Sequence, residues 1–108
     1  NYCKTHISVQ NVIVKEIIQL FEDEKVYAIV YLSDNSLLYI RERYHKSILI
    51  KYSYHYISHE GVHRWDNVPH HMSVSSFPYH YHDHDTIKES EPMDIMRVIE
   101  EIEKIRFQ

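Results

Sequence analysis

A chain of 108 residues suffices for one domain with one modest core, and 44% apolar with 26% charged residues is the balance of a globular protein rather than a disordered one. The net charge of −4 argues against a general nucleic-acid coat, and the lone Cys3 excludes an internal disulfide and any zinc site built from several cysteines of one chain. No apolar run approaches the ~20 residues of a membrane span and no signal-peptide pattern is visible, so a cytoplasmic setting is expected; Asn1 rather than Met opens the sequence, which leaves its native start open.

No linker, repeat or low-complexity tract divides the chain, and residues 1–108 are expected to form a single domain. From Val9 to Phe21 the pattern is ambiguous. Val9, Val12, Ile13, Ile17, Leu20 and Phe21 keep helical spacing, but the β-branched run Val12-Ile13-Val14 favours strand, which is the expectation taken. Val26 to Leu32 is apolar or tyrosine throughout and reads as a strand. Ser33-Asp34-Asn35-Ser36 makes a turn, because Asp and Asn tolerate positive φ, and Leu37 to Tyr44 returns as the partner. Ile48 to Ile57 alternates most clearly. Ile48, Ile50, Tyr52, Tyr54 and Tyr56 should share one face, with Leu49, Lys51, Ser53 and His55 on the other. The only glycine, Gly61, closes the next turn. Val62 to Asn67 is a short strand that ends before Pro69. Near the end, Ser90 is expected as helix N-cap, Pro92 in the first turn and Asp94 at the positive helix end, followed by the apolar stripe Ile95, Val98, Ile99, Ile102 and Ile105. The expected fold is α+β: an antiparallel β-meander of about five to six strands packed by a C-terminal α-helix.

Charge is uneven. From Tyr39 to His82, Arg41, Arg43, Lys46, Lys51 and Arg64 face only Glu42, Glu60 and Asp66, whereas the chain beyond is acidic. The middle suits a phosphate backbone, and the tail suits a basic partner. Within this middle, His63 to Asp85 holds six of the ten histidines. Strand geometry places Arg64 and Asp66 on one face, with His63, Trp65 and Asn67 on the other, and an extended Tyr79–His84 would align His80, His82 and His84.

Three chemistries fit this block. Neutral imidazoles bind zinc or another divalent metal, and His70, His71, His80 and His82 could supply the ligands. The run from His80 to Asp85 matches the HxHxDH motif of metallo-β-lactamase-like hydrolases only in its first half, since His84-Asp85 stand in reverse order. Alternatively, histidines titrating near neutrality could serve as base and acid for RNA cleavage without metal. Arg64, His70, His71, His80 and His82 supply that set, with Asp66 to orient a histidine, Trp65 to stack a base, and Arg41, Arg43 and Lys51 to meet phosphates. The third reading is a polar surface without chemistry.

A resemblance bears on the choice. The run Arg64-Trp65-Asp66-Asn67-Val68-Pro69-His70-His71, then Phe77-Pro78-Tyr79-His80-Tyr81-His82, resembles the signature of the TumE family of toxin–antitoxin proteins, which carries R-[YW]-D-N-A-P-H-H followed by F-P-H-H-K-H. Tyr54-His55-Tyr56, the Asp34-Asn35-Ser36-Leu37-Leu38 hairpin and Ser90-Glu91-Pro92 are also similar, so the resemblance spans about Val26 to Phe107. Tyr79 and Tyr81 replace a family histidine and lysine, and Asn35 replaces the hairpin glycine. The resemblance implies a small cytoplasmic toxin encoded beside a helix-turn-helix antitoxin. The ribonuclease step comes from the residues. The remaining readings are a metal-dependent nuclease or metal-binding protein, and a non-catalytic module that binds antitoxin or nucleic acid. A homodimer is a further partner expectation.

Overall fold

Alternating β-branched and aromatic residues separated by short polar turns build a sheet in which every strand pairs with its sequence neighbours. The computed structural model describes residues 9–67 and 78–106, with side chains from residue 11. The strands are β1 (Val9–Leu20), β2 (Asp23–Leu32), β3 (Leu37–His45), β4 (Ile48–Ser58), β5 (Gly61–Asp66), β6 (His80–Asp83) and β7 (Thr86–Glu89). They form one antiparallel seven-stranded sheet in the order β1 to β7. Helix α1 (Ile95–Arg106) follows.

The turns use residues that accept positive φ or are forced into it. Lys46 and Ser47, at φ 49° and 65°, close the β3–β4 hairpin with the two-residue geometry that suits sheet twist. Asn35, at φ 68°, closes β2–β3, where Asp34 Oδ1 accepts hydrogen bonds from the Ser36 backbone N–H and hydroxyl. Gly61 combines φ 146° with close approach to the His84 ring, which a Cβ would overlap.

One sheet face carries the core. Ala28, Val30 and Leu32 of β2, Leu38 and Ile40 of β3, Tyr52, Tyr54 and Tyr56 of β4 and Trp65 of β5 pack with Met93, Val98 and Ile102. Val98 and Ile102 are wholly buried, and Ile95, Ile99 and Ile105 flank them, so the expected helical stripe is the buried one. The Met93 N–H donates to the Tyr52 hydroxyl and fixes the approach to α1. Arg106 pairs with Asp34 and holds the other end against the β2–β3 turn.

The α+β meander stands, with differences of detail. Among the described residues there are seven strands rather than five or six, because β6 and β7 form a hairpin of two four-residue strands. His84 lies in its turn at φ 55° and leaves the row of His80 and His82. Asp94 rather than Ser90 caps α1. Its Oδ1 accepts from the Arg97 N–H, while Ser90 Oγ donates to the Glu91 carbonyl before the helix begins. Ile48 and Ile50 are exposed rather than aligned with the tyrosines. Arg43 pairs with Lys51 and Tyr44 with Leu49, so Ile50 is an extra bulge residue and Leu49 reaches the core.

Candidate functional site

The opposite face of the sheet is built of cross-strand rows. Directly opposed residues in an antiparallel pair project to the same side, and neighbouring strands stand ~4.8 Å apart. One row runs Tyr27–Arg41–Ser53–Asp66–His80, and the next runs Ile29–Tyr39–His55–Arg64–His82. Lys25–Arg43–Lys51 forms a third. A concavity on this face is lined by Lys25, Arg41, Arg43, Lys51, Arg64 and His55. The Arg41 guanidinium rests 4.1 Å above the Tyr27 ring, which keeps the charge on this face. Two acids also line the concavity, Glu16 at the β1 side and Glu42, but the Glu42 carboxylate accepts the Tyr54 hydroxyl at 2.6 Å on the core side.

At the β5–β6 end of these rows charges gather around Asp66, which is 1% exposed. Its Oδ1 lies 2.5 Å from His80 Nε2, and its Oδ2 lies 2.8 Å from Arg64 Nε and 3.4 Å from His82 Nε2. His80 is fully buried, and its Nδ1 donates to the Pro78 carbonyl at 2.9 Å. A carbonyl only accepts, so the proton of a neutral ring sits on Nδ1 and Nε2 turns a lone pair toward the carboxylate. At 2.5 Å the two atoms are within hydrogen-bond distance and too close to admit a metal ion between them. Arg64 and His82 differ from His80 in access, with side chains 39% and 21% exposed. His80 thus holds Asp66, while Arg64 and His82 carry its influence to the surface.

Asp66, His80 and His82 bring ligand atoms within 4.8 Å of one another and so have the composition of a metal site. Donors around one tetrahedral zinc at ~2.0–2.1 Å stand about 3.3 Å apart. The 2.5 Å between His80 Nε2 and Asp66 Oδ1 is too short for both to bind one ion as they stand, and Arg64 already sets a fixed positive charge on Oδ2. The arrangement suits a buried charge pair better than a metal.

A second group forms on the core face. His63 Nδ1 contacts the Tyr81 hydroxyl at 2.6 Å and lies 3.6 Å from Asp83 Oδ1, which His84 Nδ1 contacts at 2.8 Å. His63, Asp83 and His84 also have metal-ligand spacing, but Lys88 Nζ occupies Asp83 Oδ2 at 3.1 Å and repels a cation. Lys88 and His84 hold the Asp83 carboxyl below its usual range. His63 lies against Tyr56, Trp65 and Tyr81, and burial lowers its pKa despite the Asp83 charge.

Of the residues singled out from sequence, Arg64, Asp66, His80 and His82 come together, and Arg41, Arg43 and Lys51 share their face. Trp65 is 4% exposed on the core face, stacked on Tyr81 at 4.9 Å between centroids, and so does not meet the concavity. His70 and His71 lie outside the described residues. Sequence reasoning missed Lys25 and His55. The alternation of β4 places His55 beside Lys51 and Ser53, but only the strand register reveals that it faces Arg64. Burial, with the Arg64 charge added, lowers the His55 pKa.

Fold and site together define a small α+β protein whose sheet has one apolar, helix-covered face and one cationic face ending in an Arg–Asp–His group centred on the buried Asp66. Residues 6–106 match the family model of toxin TumE, and the chain belongs to this family. It is accordingly a toxin component of a toxin–antitoxin system, which implies an antitoxin as partner. Comparison with curated proteins and with solved structures gave no match. Among the described residues, no helix is long and apolar enough to cross a membrane.

Proposed function

We propose that this toxin acts on RNA as a metal-independent endoribonuclease, using Arg64, Asp66 and His82 for the chemistry and the cationic face for binding. The observation that carries this reading is the Asp66-centred group at the end of the concavity lined by Lys25, Arg41, Arg43 and Lys51. RNA cleavage without metal needs three things. A base takes the ribose 2′-OH proton, an acid protonates the leaving 5′ oxygen, and a cation stabilises the pentavalent phosphorane. Arg64, fixed by Asp66, is the cation. His82, oriented by the same carboxylate, moves a proton. His80 positions Asp66 without touching substrate, because it has no exposed surface. His70 and His71 follow β5 closely in sequence and remain proposed members of the site. The partner is an antitoxin with a helix-turn-helix encoded beside the toxin, and the setting is the cytoplasm, where both partner and RNA are found.

The test is incubation of purified protein with end-labelled RNA, with and without EDTA. Cleavage that survives EDTA and falls by ~10²–10⁴ in turnover for His82→Ala supports the reading. Arg64→Ala should slow the chemical step more than it weakens binding, since the charge it meets grows in the transition state. Loss in EDTA with recovery in zinc or manganese would assign Asp66, His80 and His82 to a metal instead, after a rearrangement that opens the 2.5 Å contact.

A further inference from the structure

We infer that His55 is the second proton-transfer residue of this site, so that His55 and His82 work from opposite sides of Arg64 on RNA that carries a 2′-hydroxyl. The inference rests on the ribonuclease reading and sharpens it by assigning the base, the acid and the product ends. Its ground is the cross-strand row. His55 of β4 is paired with Arg64 of β5, and Arg64 with His82 of β6. At ~4.8 Å per strand the two histidines are set ~10 Å apart at the backbone with Arg64 on the strand between them. In-line displacement at phosphorus requires this arrangement, because the attacking 2′ oxygen and the leaving 5′ oxygen lie on opposite sides of the atom that carries the growing charge.

The surroundings separate the roles. Tyr39 of β3 and Arg64 of β5 stand directly opposite His55, and Arg41, Ser53 and Asp66 form the neighbouring row. The one carboxylate among them, Asp66, is engaged by Arg64 and His80, and burial together with the Arg64 charge favours the neutral ring. Neutral imidazole is the form a general base needs. His82 instead faces the Asp66 carboxylate at 3.4 Å, beside Arg64, with the His80 ring 5.0 Å away and Ile87 opposite on β7. A carboxylate compensates the charge of an imidazolium, the form a general acid needs.

The step then balances. His55 removes the 2′-hydroxyl proton while the 2′ oxygen bonds to phosphorus. The bond from phosphorus to the 5′ oxygen breaks, and that oxygen takes a proton from His82. The products are a 2′,3′-cyclic phosphate and a 5′-hydroxyl, with His55 left protonated and His82 neutral until exchange with water restores both.

Two substrates test the assignment: a short single-stranded oligoribonucleotide, and a uridine 3′-phosphodiester with a p-nitrophenyl leaving group. The aryl oxide departs without a proton, so only the base is needed there. His55→Gln should lose ~10²–10⁴ in turnover on both substrates, with the acidic limb of the pH profile gone. His82→Ala should lose as much on the oligoribonucleotide but little on the aryl ester. A 2′-deoxynucleotide at the cut site should block cleavage. Melting curves establish that each variant is folded. Wild-type protein inert on both substrates would overturn the ribonuclease reading and this inference together. Wild-type cleavage with His55→Gln unimpaired would overturn the His55 assignment alone, whereas cleavage at the 2′-deoxy position would overturn it together with the 2′-hydroxyl chemistry on which it rests.

Discussion

Salt dependence of RNA binding offers a quantitative check on the cationic face. Lys25, Arg41, Arg43 and Lys51 line it without a carboxylate partner among the ion pairs of the described residues, whereas Arg64 is held by Asp66. Each phosphate neutralised on a single strand contributes about 0.7 to the slope of log affinity against log salt, so four contacts give a slope of about −2.8. Raising salt from about 50 to 200 mM should then weaken binding roughly 50-fold. Arg41→Ala with Arg43→Ala halves the contacts, brings the slope to about −1.4 and reduces the same loss to roughly 7-fold. Fluorescence anisotropy of a labelled single-stranded RNA would measure both, in a His82→Ala background so that the probe stays intact. A parent slope shallower than about −1, or an unchanged slope in the double variant, would refute the idea that these side chains meet phosphates.

Three further outcomes follow from buried polar groups. Asp66→Ala leaves Arg64 and the fully buried His80 without their carboxylate and should cost about 3–5 kcal/mol in urea denaturation; a loss below about 1 kcal/mol would show the pair to be unimportant. The Tyr56 hydroxyl is fully buried without a hydrogen-bond partner among the described residues, so Tyr56→Phe should raise stability by about 1 kcal/mol or more, and a fall would mean the hydroxyl is satisfied. Burial holds the His63 pKa below its usual value of about 6.5, so the folded chain binds fewer protons there than the unfolded chain. Its contribution is complete above that pH and falls as pH drops below it. The urea midpoint should decline from pH 7.5 to 5.5 and decline less in His63→Gln, and parallel declines would count against this account.

Much of the fold was legible because local pattern and global fold agree. The tyrosines of β4 alternate with period two, Asp34-Asn35 marks a hairpin, and Val98 and Ile102 lie in the apolar stripe of α1. The resemblance quoted around Arg64 and His80 fits a family match across residues 6–106. What stayed hidden depends on pairing across strands. Nothing local shows that His80 lies opposite Asp66, or His55 opposite Arg64, because both facts need the register of three strands. Trp65 invited a base-stacking role by residue type, yet its parity on β5 sends it into the core. An extended Tyr79–His84 was an option in the sequence and holds β6, whereas β7 was not foreseen, because Thr86-Ile87-Lys88-Glu89 is too short to show an apolar alternation.

The division of labour between the sheet's two faces has a consequence for which insertions the gene can tolerate. A single residue added within β4 between Lys51 and His55 would exchange the faces of one side of the strand relative to the other. Tyrosines would turn to solvent and charged residues would enter the core, so folding itself would fail. Two added residues would restore the faces but slide one row past the next. Tyr54 and Tyr56 could still meet the helix, and the tight turn after Ser58 would keep His55 opposite Arg64, but His55 would stand opposite a different residue of β3. Such a chain should fold with the His55–Arg64–His82 row displaced from the arginines of β3, which makes paired insertions a way to weaken the toxin while keeping its shape.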